Sequence, residues 1–231
     1  MAIQGDAGPF ELKNELWMID NLMEPCILML PRETKRLILR APLSTDAAAI
    51  QEAIEESFPD LHIWMDWATT LQSLDDTRTI IERHQVNHKS AEDFSVSAFL
   101  KDTGKFVLGA GLHPRNWRVP KFEIGYWCRK SMQGNGYVTE VVRELTAAAF
   151  YEMTAKRVEI RCDSRNQRSR RVAERAGYHL EAELRCDDRA NDDSLRDTII
   201  YVLLADDFHP ETQAAQHVVQ PLRYNLQEGG G

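Results

Sequence analysis

Gln133-Gly134-Asn135-Gly136 is the stretch that most narrows what this chain can fold into. It stands between an alternating segment, Phe122 to Cys128, and a strongly helical one that starts near Tyr137. Glycines let the backbone approach a ligand closely, and the unpaired N–H groups at the start of the next helix make an anion site that the helix dipole favours. Strand, glycine turn and helix in that order fit a pyrophosphate. The turn lacks the Lys-Ser/Thr pair of a Walker loop, and it is not the G-x-G-x-x-G turn of dinucleotide folds. Taken alone, it is equally compatible with a plain Gly-rich connection.

The flanking pattern supplies an α/β frame. Arg36 to Ala41 alternate and stop at Pro42, which predicts a strand. Ser44 or Thr45 then caps a helix over 46–57 with Ala48, Ile50, Ile54 and Phe58 inward, and Leu74-Asp75-Asp76 opens another over 76–88. An aromatic segment, Leu61 to Trp67, separates the two. Segments 94–100 and 105–112 form a hairpin across Asp102-Thr103-Gly104-Lys105, and His113 falls in the loop that holds Pro114 and Pro120.

After the glycine turn, Val138, Val141, Val142, Leu145 and Ala149 recur at helical spacing to about residue 153, with Glu140, Arg143 and Glu144 on the other face. A strand at 158–162, a short helix at 167–176 ended by Gly177, and strands at 179–186 and 196–204 complete the domain. The expected architecture is a mixed central β-sheet with helices on both faces over residues 34–208. Residues 1–33 form an N-terminal extension and 209–231 a tail expected to be flexible.

A second motif gives the turn its meaning. Asn166-Gln167-Arg168-Ser169 opens the short helix, and Glu174-Arg175-x-Gly177-Tyr178 closes it. Together with Glu123-Ile124-Gly125-Tyr126-Trp127, Gln133-Gly134-x-Gly136, Thr139-Glu140, and Arg196-Asp197 before the last strand, these residues make the chain resemble the GNAT superfamily, and within it the RimJ/RimL-like N-acetyltransferases. The resemblance reaches upstream to Arg36-Leu37-Ile38-Leu39-Arg40, Trp64/Trp67 and Asp76-Thr77-Arg78. It implies a GNAT fold with acetyl-CoA wedged between two splayed parallel strands.

Carried over by that resemblance, Trp127 and Cys128 line the pantetheine, and Gln133, Gly134, Asn135, Gly136, Tyr137, Val138 and Thr139 cradle the phosphates. Asn166 and Ser169 lie near the thioester. Of Arg168, Arg170 and Arg171, which could reach the phosphates, one is expected to contact the cofactor, and Arg171 is taken as that one. Two departures stand out. Val138 occupies a usual Gly or Ala position, and Ala173 occupies the place of a Tyr that protonates the departing thiolate. Ser169 is the candidate replacement for that Tyr, since a thiolate of ordinary pKa about 8.5 is a fair leaving group. The plainer reading of Ser169 is a helix cap.

Direct attack needs a neutral amine. At pH 7 deprotonation costs about 1 kcal/mol for an α-amine and about 4.6 kcal/mol for a lysine. Glu123 and Asp188 are the candidate bases, each with an ordinary reading as a solvated carboxylate. Trp64 and Trp67 are candidate walls of an acceptor pocket, with Asp66 to attract an ammonium group. Cys128 has no base beside it in sequence and reads as a packing residue.

The favoured acceptor is the α-amine of a protein or peptide. A small-molecule amine and a non-catalytic acyl-CoA-binding module are the alternatives. Net charge −8 argues against a general nucleic-acid surface. Four widely spaced cysteines without a C-x-x-C pair predict neither a metal site nor a redox motif. No apolar run approaches the ~20 residues that span a bilayer, and Asp6 and Glu11 stand where a signal peptide has basic residues, so a cytoplasmic protein is expected. Leu16, Trp17, Ile19, Leu22 and Met23 have partly helical spacing, which suits a lid over the cleft or a homodimer contact.

Overall fold

The computed structural model describes residues 26–209, so the spacing at 16–23 and the glycine-rich C-terminus lie outside the described residues. Among the described residues, eight strands form one sheet in the order β1-β2-β3-β4-β5-β6-β8-β7. They are β1 (Arg32–Glu33), β2 (Leu37–Arg40), β3 (Phe94–Leu100), β4 (Phe106–Asn116), β5 (Lys121–Cys128), β6 (Arg157–Asp163), β7 (His179–Arg189) and β8 (Leu195–Leu204). Every pairing is antiparallel except β5 with β6. The helices are α1 (Ala47–Trp64), α2 (Leu74–Lys89), α3 (Tyr137–Tyr151) and α4 (Gln167–Arg175).

Period-two alternation sorts the sheet into two cores. On one face Leu108, Leu112, Phe122 and Ile124 pack with Val141, Val142 and Leu145 of α3 and Ala173 of α4. On the other, Phe99 and Phe106 meet Ile50, Ala53, Ile54 and Leu61 of α1 and Ile81 of α2. Leu28 is buried in the first core and β1 pairs with β2, so the folded unit takes in residues ahead of position 34.

Three local expectations are corrected. Ser44–Asp46 is a 3-10 turn, and Asp46 rather than Ser44 or Thr45 organises it, accepting from Leu43 N at 2.8 Å and from the Arg40 guanidinium at 2.6 and 2.7 Å. Helix α1 then runs through Pro59 to Trp64, because burial of Ser57 and Leu61 outweighs the local break, while Ala48 faces solvent. Finally, Glu140 and Glu144 are buried despite their charge. Arg32 Nε donates to Glu144 at 2.7 Å, and Thr34 and Arg36 bind Glu140, so the N-terminal strands are clamped onto α3. Helix α2 is opened by a capping box, with Asp76 N donating to Ser73 Oγ at 3.2 Å and the Asp76 carboxylate accepting from Ser73 N at 2.9 Å.

Candidate active site

Strands β5 and β6 pair only over Lys121–Glu123 with Arg157–Glu159. Beyond that point β5 keeps β4 as its strand partner and β6 keeps β8, so the two strands part and leave backbone edges facing a gap. Each diverging strand feeds a helix at the same end of the sheet. Strand β5 leads through the glycine turn into α3, and β6 leads through Asn166 into α4. A cleft of about 430 Å³ occupies the space between them.

The turn adopts the geometry that its glycines permit. Gly134 (φ +80°) and Gly136 (φ +79°) are both left-handed, and a Cβ built on Gly134 meets nothing within 4 Å. Gly136 is the cap residue of α3, so the first N–H groups of that helix point toward the turn. Beside it Lys35, Arg36, Arg143 and Arg175 rim a recess that also takes in Asn135, Gly136, Thr139 and Glu140, the last paired with Arg36. Arg36 Nη1 donates to Asn135 O at 2.9 Å and its guanidinium lies 4.3 Å over the Tyr137 ring. A basic rim around exposed N–H groups suits phosphate. Of this rim, Arg36 and Arg143 were legible only as strand and helix residues.

Of the residues expected to hold the donor, Trp127, Cys128, Gln133, Gly134, Gly136, Tyr137, Val138, Thr139, Asn166, Ser169 and Arg171 all line the cleft, and Asn135 lines the adjoining recess. Gln133 bridges its two lips, with Nε2 donating to Cys128 O at 3.3 Å and Oε1 accepting from Arg168 Nη1 at 2.7 Å. Arg170 turns away, toward Tyr201 and Ser164 O. Burial and the nearby Glu56 charge push the Cys128 thiol up to about 12, so it is protonated at neutral pH and no nucleophile.

Ser169 sits across the gap from β5. Asn166 Oδ1 accepts from Ser169 N at 3.1 Å and so supplies the helix cap, which leaves the Ser169 hydroxyl for other work. That hydroxyl is 2.9 Å from the Tyr126 phenol oxygen. Burial raises the Tyr126 phenol well above its usual pKa, so it stays protonated. Ala173 is buried against the sheet, and the phenol beside Ser169 comes instead from β5, a role that sequence reading did not assign to Tyr126.

The expected acceptor-side residues are not gathered in one place. Trp64 lines the donor cleft, whereas Trp67 lines a second cavity of about 460 Å³ between α1, α2 and the sheet. Trp127, 6.1 Å edge-on from Trp67, and Met65 line both. Glu123, Asp188 and Asp66 line neither cavity. Their charges are taken up elsewhere: Glu123 accepts from Arg115 Nε at 3.1 Å, while Arg196 Nη2 reaches Asp188 at 2.8 Å and Asp66 at 3.1 Å. The Arg196 hydrogen bond also holds the Asp188 carboxyl below the usual range.

His113 is the largest surprise of position. It belongs to β4 rather than to a loop, lines the second cavity, and pairs through Nδ1 with Asp93. Ser95 Oγ donates to the other Asp93 oxygen at 2.9 Å. The signal was the alternation Gly109-x-Gly111-x-His113, which places all three on one face of a strand.

A family model described as an acetyltransferase (GNAT) domain matches residues 36–179. The chain is 33% identical over 141 residues to "Putative ribosomal N-acetyltransferase YdaF" of Bacillus subtilis (strain 168), covering 61% of this chain and 76% of that protein. It is 27% identical over 143 residues to the ribosomal-protein-serine acetyltransferase of Escherichia coli (strain K12), covering 62% and 78%. Among solved structures, the RimL ribosomal L7/L12 alpha-N-protein acetyltransferase in complex with coenzyme A aligns with a TM-score of 0.70 at 22% identity, over 76% of this chain and all of that one. With a family match over more than half its length, and with the splayed strands, glycine turn and Asn166-x-x-Ser169 joined in one cleft, the chain belongs to the GNAT acetyltransferases, as a RimJ/RimL-like N-acetyltransferase that uses acetyl-CoA.

Proposed function

We propose that this enzyme transfers the acetyl group of acetyl-CoA to the N-terminal α-amine of a protein or peptide in the cytoplasm, by direct attack within a ternary complex. The observation that carries this reading is the pair of cavities meeting at Met65, Tyr126 and Trp127. One has the phosphate-binding end; the other approaches the same strand from the α1/α2 side. Two named relatives act on ribosomal proteins according to their descriptions, which favours a polypeptide acceptor.

Acetyl-CoA supplies a thioester, and the residues of the chain do the rest. The basic rim and α3 N–H groups hold phosphate, the unpaired β5 edge aligns the pantetheine amides, and Ser169, supported by the protonated Tyr126, donates toward the departing sulphur. Ser169→Ala is expected to lower kcat about 10-fold, equivalent to about 1.4 kcal/mol of transition-state stabilisation, with acetyl-CoA affinity changed less than ~3-fold. Tyr126→Phe should cost less, and the double variant should match Ser169→Ala alone, because the phenol acts through that hydroxyl. Thiol release and calorimetric binding measure both quantities. Undiminished turnover in Ser169→Ala removes that hydroxyl from the reaction.

A small-molecule amine is the competing acceptor, favoured by a second cavity whose volume lies in the range of ordinary small-ligand pockets. Hexapeptides beginning with Ser, Ala or Met, assayed beside spermidine and an aminoglycoside, separate the two. Turnover confined to the small amines overturns the polypeptide reading.

A further inference from the structure

The second cavity has an unusual floor. Gly109 and Gly111 of β4 and Gly125 of β5 lie side by side on the α1/α2 face, in register Gly109↔Trp127 and Gly111↔Gly125. The missing side chains make room for two rings. A Cβ on Gly109 would lie 2.5 Å from Trp127 Nε1, one on Gly111 2.6 Å from His113 Nε2, and one on Gly125 3.1 Å from the same Nε2. The imidazole therefore lies over the glycines with its Cε1–Nε2 edge nearest them, reaching across to β5 where it has already parted from β6. It ends above Gly125, the neighbour of Tyr126, whose phenol meets Ser169.

We propose that this glycine-floored cavity receives the acceptor amine, and that His113, oriented by Asp93, is the catalytic base that takes its proton. The proposal rests on the N-acetyltransferase reading of the donor cleft and deepens its acceptor side. With Nδ1 engaged by Asp93, Nε2 is the ring nitrogen left to take a proton, and it lies over Gly111 and Gly125 at the floor of the cavity that His113 lines. Charge favours the same arrangement. Burial opposes ionisation of Asp93, but its hydrogen bonds from His113 and Ser95 prevail and hold the carboxyl below its ordinary pKa, so an anion stands behind the ring. Burial also holds His84 of α2 below its ordinary value, which limits positive charge beside the incoming ammonium.

His113 Nε2 takes one proton from the acceptor ammonium, and the freed lone pair attacks the thioester carbonyl. The C–N bond forms and the C–S bond breaks, with the electron pair leaving on sulphur. A second proton from the same nitrogen ends on sulphur, giving the amide and free thiol. The proton on His113 then passes to solvent.

The test is the pH dependence of kcat/KM for wild type, His113→Gln and Asp93→Asn. The acceptors are a Ser-initiated hexapeptide, serine amide and spermidine, with melting temperature and acetyl-CoA affinity as controls for folding. The other charged groups facing His113 are Arg83 and His84 of α2 and the register partner Glu123 with its Arg115, and these remain in place in every variant. His113→Gln is expected to slow turnover of the hexapeptide at least 10-fold at pH 7, and the deficit should shrink toward pH 9, where an α-amine of ordinary pKa about 8 deprotonates unaided. Asp93→Asn should give a smaller deficit with the same pH trend, and it carries the test if His113→Gln does not fold. A deficit independent of pH, as a purely structural role would give, overturns the proposal, as does wild-type activity in both variants. So does a wild-type enzyme inactive on all three amines. Turnover of serine amide or spermidine but not the hexapeptide defeats the polypeptide reading alone, and the His113 comparison is then made on the small amine.

Discussion

Phe122→Ala is expected to destabilise the protein by about 3–5 kcal/mol, which for a domain of this size lowers the melting temperature by roughly 6–20 °C. Phe122 is 1% exposed and packs edge-on against Trp117 with ring centroids 5.3 Å apart. It also occupies the middle of the short parallel pairing, opposite Val158, and so sits at the point from which the two strands splay. Loss of the ring leaves a cavity that a twisted sheet pinned by α3 cannot collapse around. The consequence should reach the donor cleft: acetyl-CoA binds only the folded state, so saturating ligand should restore part of the lost melting temperature, though less than in wild type if the cleft has loosened. Phe122→Leu, which keeps most of the volume, should cost under about 1.5 kcal/mol. Thermal and urea unfolding with and without acetyl-CoA measure these quantities. A melting temperature within 2 or 3 °C of wild type, about 1 kcal/mol, would show that the base of the splay is not held by this ring.

The donor side was legible in the sequence because its determinants are local. The glycine turn, the apolar stripe of α3 and Asn166-x-x-Ser169 are each written within one turn or one helix, where backbone conformation and spacing decide the outcome. Less legible were the features whose partners come from far along the chain. Glu140 and Glu144 look solvated on a helical wheel, and only the return of Arg32, Thr34 and Arg36 onto α3 explains why they are buried. Asp66 and Asp188 read as available carboxylates, yet one arginine of β8 occupies both. His113 was hidden by neighbouring prolines that suggest a loop, although β4 extends to Asn116 with Pro114 opposite Phe122. The acceptor side is assembled by strand register, and register is what a single sequence states least clearly.

Removal of the Glu140 carboxylate should have the second large effect, because it joins the clamp on α3 to the phosphate turn. Its side chain is 6% exposed and accepts from Thr34 Oγ1 at 2.6 Å, Arg36 N at 2.9 Å and Arg36 Nε at 2.7 Å. Arg36, thus fixed, holds Asn135 O. Glu140→Ala leaves the Arg36 backbone N–H without its acceptor and the Thr34 hydroxyl with only the longer bond to Leu37 O at 3.4 Å, at a cost of about 2–3 kcal/mol. This lies below the roughly 3–5 kcal/mol of a fully buried broken pair, since Arg36 is 39% exposed and water can reach it. Acetyl-CoA affinity should fall several-fold as the turn loses its tether.

The pH dependence distinguishes this ionic role from simple packing. Burial acts to raise the Glu140 pKa, but the Thr34 and Arg36 hydrogen bonds and the Arg36 charge outweigh it and hold it below the ordinary value. A depressed folded pKa gives stability that is complete above the unfolded value, about 4.3, and is lost as pH falls through the folded one. The stability gap between wild type and Glu140→Gln should therefore be flat from pH 8 to about 5 and narrow steadily below about 4, where protonated Glu and Gln become nearly alike. Urea unfolding of both proteins across that range reads the gap directly. If the gap stays constant down to the lowest pH at which both still fold, shape rather than charge holds the N-terminal strands to α3.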